Sequence, residues 1–340
     1  MKIIFFKEGD ILPANLPPEY KRTEEKLKEA KTLEEKIEII EKLISLLPRH
    51  KGTDKLFADL KRRLSKLRNM AEQERKKKTK GYDPYLIEKA GAGQVMLIGP
   101  PNSGKSSLLA TLTNANPHIA DFPFSTVNPC PGMMNFEDIQ IQLIDLPPII
   151  ESHVDPLMVN AIKRSDGALI VVDSSSDELL DQMDTIIRKL EERKTILSWE
   201  KPEELEIGWE WVRSFVVANK MDIENTNERL EILEEFYSAK FPILPFSALK
   251  KSGIEKLKQK IFEMLSVVRV YSKPPGKPPD FDKPFILKKG STVRELAAEI
   301  HKDFSEKLRG AKLWNIETKT FIMVDREYEL QDKDVIELVI

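Results

Sequence analysis

The chain has 340 residues, 41% of them apolar and 32% charged, with a formal net charge of −2; that length suits two or three domains with real hydrophobic cores. A single cysteine, Cys130, excludes an internal disulfide, is read as ordinary packing, and fits a reducing compartment. No apolar run approaches the roughly 20 residues of a membrane helix, and the start MKIIFFKEGD is too short and too acidic for a signal peptide, so a soluble, cytoplasmic chain without a membrane partner is expected.

Residues 1–85 are expected to form a helical hairpin after a short strand-like start. Leu33, Ile37, Ile40, Ile44 and Leu47 recur at helical spacing, with Thr32 and Glu35 as a capping box ahead of them and Pro48 at the end. A second stripe runs through Phe57, Leu60, Leu64, Leu67 and Ala71. Two such stripes joined by a short loop predict an antiparallel pair. The arms differ in charge. Residues 19–49 hold eight acids and eight bases, whereas residues 51–80 hold twelve Lys or Arg against four acids, a net of +8. That face is either a solvated helix surface or a contact for a phosphate backbone, where clustered cations release counterions.

Residues 86–270 alternate apolar runs with helical patterns. The runs at 95–98, 139–144, 168–172, 215–218 and 242–246 predict strands of an α/β domain with a mostly parallel sheet. Residues 199–213 carry Trp199, Trp209 and Trp211 and read as a small insertion. The Pro-rich stretch 271–282 reads as a linker. Residues 283–340 give a compact strand, helix and strands pattern with eleven bases and eleven acids, hence no electrostatic footprint.

The chemistry is concentrated in the middle segment. Gly99, Pro100, Pro101, Asn102, Ser103, Gly104, Lys105 and Ser106 match the phosphate-loop pattern GxxxxGK[ST], with Ser107 beside it. The motif follows a strand and opens a helix, so backbone N–H groups aim at phosphates. Lys105 is expected to reach the β and γ phosphates, and Ser106 to hold Mg²⁺. Asn219, Lys220, Met221 and Asp222 follow an apolar strand. An Asp there accepts from both N1–H and the 2-amino group of guanine, whereas adenine would leave it unpaired. This selects GTP and GDP and disfavours an ATP-dependent kinase. Ser247, Ala248 and Leu249 complete the set as a backbone contact to the guanine carbonyl. Asp145 ends a strand on the Mg²⁺ side. Thr126 is the candidate Mg²⁺ ligand of a first switch, with Ser125 as the rival hydroxyl. His153 could orient water or be inert, and neither the four histidines nor Cys130 has metal-site spacing.

PheProPheSerThr at 122–126, AspLeuProPro at 145–148, AsnLysMetAsp and SerAlaLeu resemble the Obg-type translation-factor GTPases, most closely the developmentally regulated GTP-binding subgroup. Residues 285–304 and 332–338 resemble the opening and close of a TGS domain, a small ubiquitin-like β-grasp. The resemblance covers nearly the whole chain. It implies a slow GTPase associated with a ribosome or RNA through residues 51–80 and the TGS domain, with no DNA expected. It also implies that Asn102 helps hold a K⁺. The sequence departs from the pattern at Pro148, where the family's second switch has a glycine whose N–H meets the γ-phosphate, and proline has no N–H. The Gly-rich stretch that follows in the family is replaced by residues 149–156, beginning with Ile149. The alternative to a slow switch is therefore a nucleotide-stabilised binding module that hydrolyses little.

Overall fold

A computed structural model describes residues 83–115, 128–152 and 154–340, and before them residues 19–20, 23, 26–27, 33–47, 53, 56–58 and 60–67. Met1–Asp83 and Pro84–Ile340 are two compact units. In the first, α1 spans Leu33–Leu46 and residues 60–67 are helical. Ile40, Leu47 and Leu60 of the two apolar stripes are buried together with Tyr20 and with Leu43, which stands in neither stripe, while Ile44 is only partly buried. Thr32 of the expected capping box lies outside the described residues.

The second unit begins with a sheet whose order follows from burial on both faces. Its strands are β1 Gln94–Ile98, β2 Cys130–Phe136, β3 Ile139–Asp145, β4 Gly167–Asp173, β5 Thr195–Ser198, β6 Glu210–Asn219 and β7 Ile243–Pro245. The order is β2-β3-β1-β4-β6-β5, with β7 also on β6, and every pair is parallel except β2 with β3. A strand covered on both sides has no polar face to offer, which is why β1 and β4 read as continuous apolar runs. Met96, Ile98 and Ile170 face one core, closed by α3 Pro156–Arg164, α4 Leu179–Glu191 and α5 Thr226–Tyr237. Val95, Leu97 and Leu169 face the other, closed by α2 Lys105–Leu112 and α6 Ile254–Leu265. The Trp-bearing segment joins this sheet. Glu210–Arg213 extend β6 toward β5, and Trp199 packs edge-on against Phe215.

A single residue, Ser266, separates α6 from β8 Val267–Ser272. That strand pairs with β9 Phe285–Lys288 and β12 Asp334–Val339 in a second sheet of order β11-β10-β12-β8-β9, where β10 is Gly310–Asn315 and β11 is Thr320–Val324. The sequence places 267–270 at the end of the nucleotide-binding segment and Tyr271 and Ser272 in a linker. They belong instead to the second sheet, because Val268 and Val270 are buried in its core against α7 Val293–Ile300. A short helix, α8 Lys302–Lys307, follows α7.

Arg269 of β8 joins the two sheets. Its guanidinium is 3% exposed and meets Asp332 at 2.7 Å, Asp138 at 2.7 Å and Glu137 at 2.5 Å. Glu137 and Asp138 form the tip of the β2–β3 hairpin, and Phe262 of α6 lies under the guanidinium at 4.9 Å. Tyr271 donates its hydroxyl to Asp138 at 2.6 Å, and Lys333 adds an ion pair to Glu137 at 2.9 Å. Burial opposes the Arg269 charge, but its bonds to Asp332, Glu137 and Asp138 outweigh that and raise its pKa further. The bond to Arg269, then that to Lys333, holds the Glu137 carboxyl below its usual range.

Removing one partner of a buried ionic group leaves the others uncompensated. Arg269→Leu is expected to destabilise the Pro84–Ile340 unit by about 3 kcal/mol at neutral pH, read by urea unfolding. Because the folded-state pKa of Glu137 is depressed, its share of the joint is present above the unfolded value of 4.5 and is lost as pH falls through the lowered one. The penalty of the variant should shrink in acid.

Candidate functional site

The C-terminal ends of β1, β3, β4 and β6 lie side by side, and the loops leaving them build the site. Gly99–Gly104 turn from β1 into α2. A Cβ on Gly99 would lie 2.2 Å from the Val171 carbonyl oxygen, and one on Gly104, whose φ is 87°, would lie 2.2 Å from Asn219 Nδ2. Only glycine lets these backbones approach so closely. Lys105, 6% exposed, donates to the carbonyls of Pro100 at 2.8 Å and Gly99 at 3.2 Å. Burial pushes its ammonium down to about 8, with Asp145 working the other way. Such a poorly solvated cation gains from a polyphosphate. Ser103 is buried and donates to Pro100 O at 3.1 Å, while Asn102 and Pro101 stand at the outer surface of the loop.

Asp145, at the end of β3, is fully buried and accepts from the Ser106 hydroxyl at 2.5 Å. A hydroxyl and a carboxylate in contact are hard oxygen donors that suit Mg²⁺. Ser107 follows on the first turn of α2, its carbonyl accepting from Thr111 at 2.7 Å. These oxygens and the buried Lys105 ammonium suit a magnesium-bound polyphosphate.

Asn219 ties the remaining motifs together. Its side-chain Nδ2 donates to the Ser103 carbonyl at 2.9 Å, and its Oδ1 accepts from the Ala248 N–H at 3.2 Å. Asp222 accepts from the Ser247 hydroxyl, which itself accepts from the Lys250 N–H at 3.0 Å. The Met221 N–H reaches the Phe246 carbonyl at 3.1 Å, fixing the 219–222 turn against the end of β7. Leu249 is 82% exposed beyond that turn. Lys220 pairs with Asp173 at 2.6 Å, a residue that the motifs do not single out. The one signal for it is an acid closing the apolar run of β4.

Pro148 and Ile149 lie next to the phosphate loop. The Ile149 N–H donates to the Gly99 carbonyl at 3.0 Å, and its side chain is 2% exposed. Thr126, its rival Ser125, and His153 lie outside the described residues. Among the described residues no helix is long and apolar enough to cross a membrane.

Residues 94–201 match the family described as 50S ribosome-binding GTPase, and residues 268–340 match the TGS domain. An uncharacterized GTP-binding protein of Methanocaldococcus jannaschii is 27% identical, over 91% of this chain and 93% of its own length. Developmentally-regulated G-protein 2 of Arabidopsis thaliana is 25% identical, over 90% of each. GTP-binding protein 1 of Schizosaccharomyces pombe is 26% identical, over 90% of this chain and 98% of its own. Among solved structures, a single-residue variant of Aquifex aeolicus Era bound to GDP and aluminium fluoride is 21% identical, covering 61% of this chain and 64% of that one, with a TM-score of 0.41.

Gly104→Ala would place a methyl group against the Asn219 amide in a left-handed backbone conformation, at a cost of about 1–3 kcal/mol. The variant is expected to lose stability in thermal unfolding. It should also bind GDP at least about tenfold more weakly in calorimetry, because one buried hydrogen bond to the loop goes with it.

Proposed function

We infer that this chain, an enzyme of the P-loop GTPase fold that carries a C-terminal TGS domain and is similar over nine-tenths of its length to developmentally regulated GTP-binding proteins, is a Mg²⁺-dependent GTP switch acting on a ribosome or another RNA surface. The observation that carries this is the Asn219 side chain, which bonds the phosphate loop through the Ser103 carbonyl and the Ser247–Leu249 turn through the Ala248 N–H.

In this reading the N–H groups of the Gly99–Gly104 turn and the start of α2 receive the phosphates, and the Lys105 ammonium turns from its two carbonyls to the β and γ oxygens. Asp222 accepts from the guanine edge, with the Ser247 hydroxyl fixing its orientation. The Ala248 backbone meets the guanine carbonyl. Ser106 and Asp145 would hold Mg²⁺ with Thr126, and the ion would neutralise charge on the phosphates. Asn102, on the outer rim of the loop, is the residue through which K⁺ would add to that neutralisation. The domain boundaries in this reading are residues 1–83 for the helical arm, 84–266 for nucleotide binding and 267–340 for the TGS domain.

RNA association is supported by the description of the matched family and by the basic arm. Arg62, Arg63 and Lys66 lie on its helical residues 60–67. Reversing all three to Glu is expected to weaken co-sedimentation with ribosomes and to lower the salt slope of RNA binding by about two to three. GTP affinity should stay unchanged. Co-sedimentation equal to that of the parent protein would reduce the arm to a solvated surface.

A second reading, a nucleotide-stabilised binding module, is favoured by the contact between Ile149 and Gly99. The Ile149 N–H is already spent on the protein's own loop, and Pro148 beside it has none to give. Without a contact made only to GTP, the nucleotide cannot shift this segment. Pro148→Gly is expected to raise preference for a non-hydrolysable GTP analogue over GDP by about tenfold, the scale of one hydrogen bond to a charged group. Competition binding on both proteins reads it. A parent protein that already prefers the analogue strongly, with no change in the variant, would discard the second reading.

A further inference from the structure

β11, Thr320–Val324, is an outer strand of the second sheet, and its ladder partner is β10. Among the described residues no strand pairs with its other side. Soluble proteins blunt such an edge with a proline, a charge, a bulge or a cover, because a bare edge is a template for another strand. The opposite edge of this sheet follows that rule. β9 is four residues long, Pro284 stands directly before it and Lys288 lies within it. β11 has none of these devices. It carries no proline and no charge, and it pairs with β10 one to one over five residues, without a bulge.

The three central side chains of β11 are apolar and open: Phe321 is 45%, Ile322 62% and Met323 60% exposed. Alternation puts Phe321 and Met323 on one face of the strand and Ile322 on the other, so neither face is polar at its centre. Phe321 lies against Trp314 of β10 at 5.1 Å, which extends the first apolar face onto the neighbouring strand.

The order of residues along β11 selects what can pair with it. In a second copy related by a two-fold axis, β11 meets β11 antiparallel, and the alternation of faces permits only registers that differ by two residues. With the axis at Ile322, Phe321 of each copy stands opposite Met323 of the other, a ring opposite a thioether. Ile322 stands opposite Ile322, and Thr320 opposite Val324. Just beyond the strand Lys319 stands opposite Asp325, which sets unlike charges at both ends. Moving the axis to Phe321 puts Met323 opposite Lys319, and moving it to Met323 puts Phe321 opposite Asp325. Each of these sets an apolar side chain against a charge. Of the three registers, only the one centred on Ile322 matches apolar with apolar and base with acid.

We propose that β11 is the contact through which two copies of this chain associate, strand to strand across a two-fold axis at Ile322, so that their second sheets continue as one. The proposal does not depend on the reading of the nucleotide site.

Sedimentation equilibrium of the full chain tests it, with thermal unfolding and GDP binding as controls on the fold. The parent protein is expected to form a dimer as its concentration rises. Ile322→Lys sets a charge at the centre of an exposed strand, and should leave a monomer with unchanged GDP affinity. Lys319→Asp brings acids opposite each other at both ends, and Asp325→Lys brings lysines opposite each other. Lys319 has a φ of 54°, which Asp tolerates. Each variant alone should dimerise about tenfold more weakly than the parent. Mixed in equal amounts, the two regain both unlike pairs and should form a mixed dimer close to the parent's in affinity. Asp325 also accepts from the Glu327 N–H at 2.8 Å, and mixing separates the two roles, since it cannot repair a damaged turn. Three results would overturn the proposal: a parent protein that stays monomeric at about 100 μM, a dimer that survives Ile322→Lys, or a mixture no more associated than its separate variants. The first would leave the strand to a different chain or uncovered.

Discussion

A buried carboxamide has four hydrogen-bonding positions and no water to satisfy them. At Asn219, 1% exposed, this constraint organises the nucleotide site. Its amide must find partners, and the partners present are the carbonyl of Ser103 and the N–H of Ala248. The Gly99–Gly104 loop and the turns at Asn219–Asp222 and Ser247–Leu249 therefore fix one another. Neither could shift without stranding a polar group, at roughly 1–3 kcal/mol. Gly104 belongs to the same constraint, since any larger residue would displace the amide. The parallel sheet serves this arrangement by placing β1, β4 and β6 next to each other, so that three chain-distant loops leave from one edge.

The segment after Asp145 shows a different use of the backbone. Proline at 148 removes a donor, and Ile149 directs its own N–H to Gly99. Ile149 also buries its side chain in the core shared with Met96 and Ile98. The segment after Asp145 is thus anchored both by a hydrogen bond and by apolar packing. Its position is set by the protein.

Much of this was legible in the sequence for a physical reason. Strands buried on both faces give unbroken apolar runs, and phosphate and base recognition need specific residues at fixed spacing, so β1, β4 and the Asn219–Asp222 turn announce themselves. β2 does not. CysProGlyMetMetAsnPhe contains Pro and Gly, and it is a strand only because β3 supplies a seven-residue antiparallel partner. β8 was hidden by the Pro-rich stretch that follows it, although its valines complete the second core. The pair between Lys220 and Asp173, and the cluster around Arg269, link residues far apart in the chain. No local pattern marks such contacts.

The Arg269 cluster has a mechanical consequence. It grips the β2–β3 hairpin at Glu137 and Asp138, and the other end of that hairpin pairs Cys130 with Asp145. Between them runs an unbroken ladder of seven residue pairs, about 20 Å at 3.4 Å per residue. A hydrogen-bonded ribbon of that length resists stretching and shear, and the buried guanidinium leaves little play at its far end. A push or twist applied to the second sheet would therefore be delivered as strain along β3, to the carboxylate that stands beside Ser106.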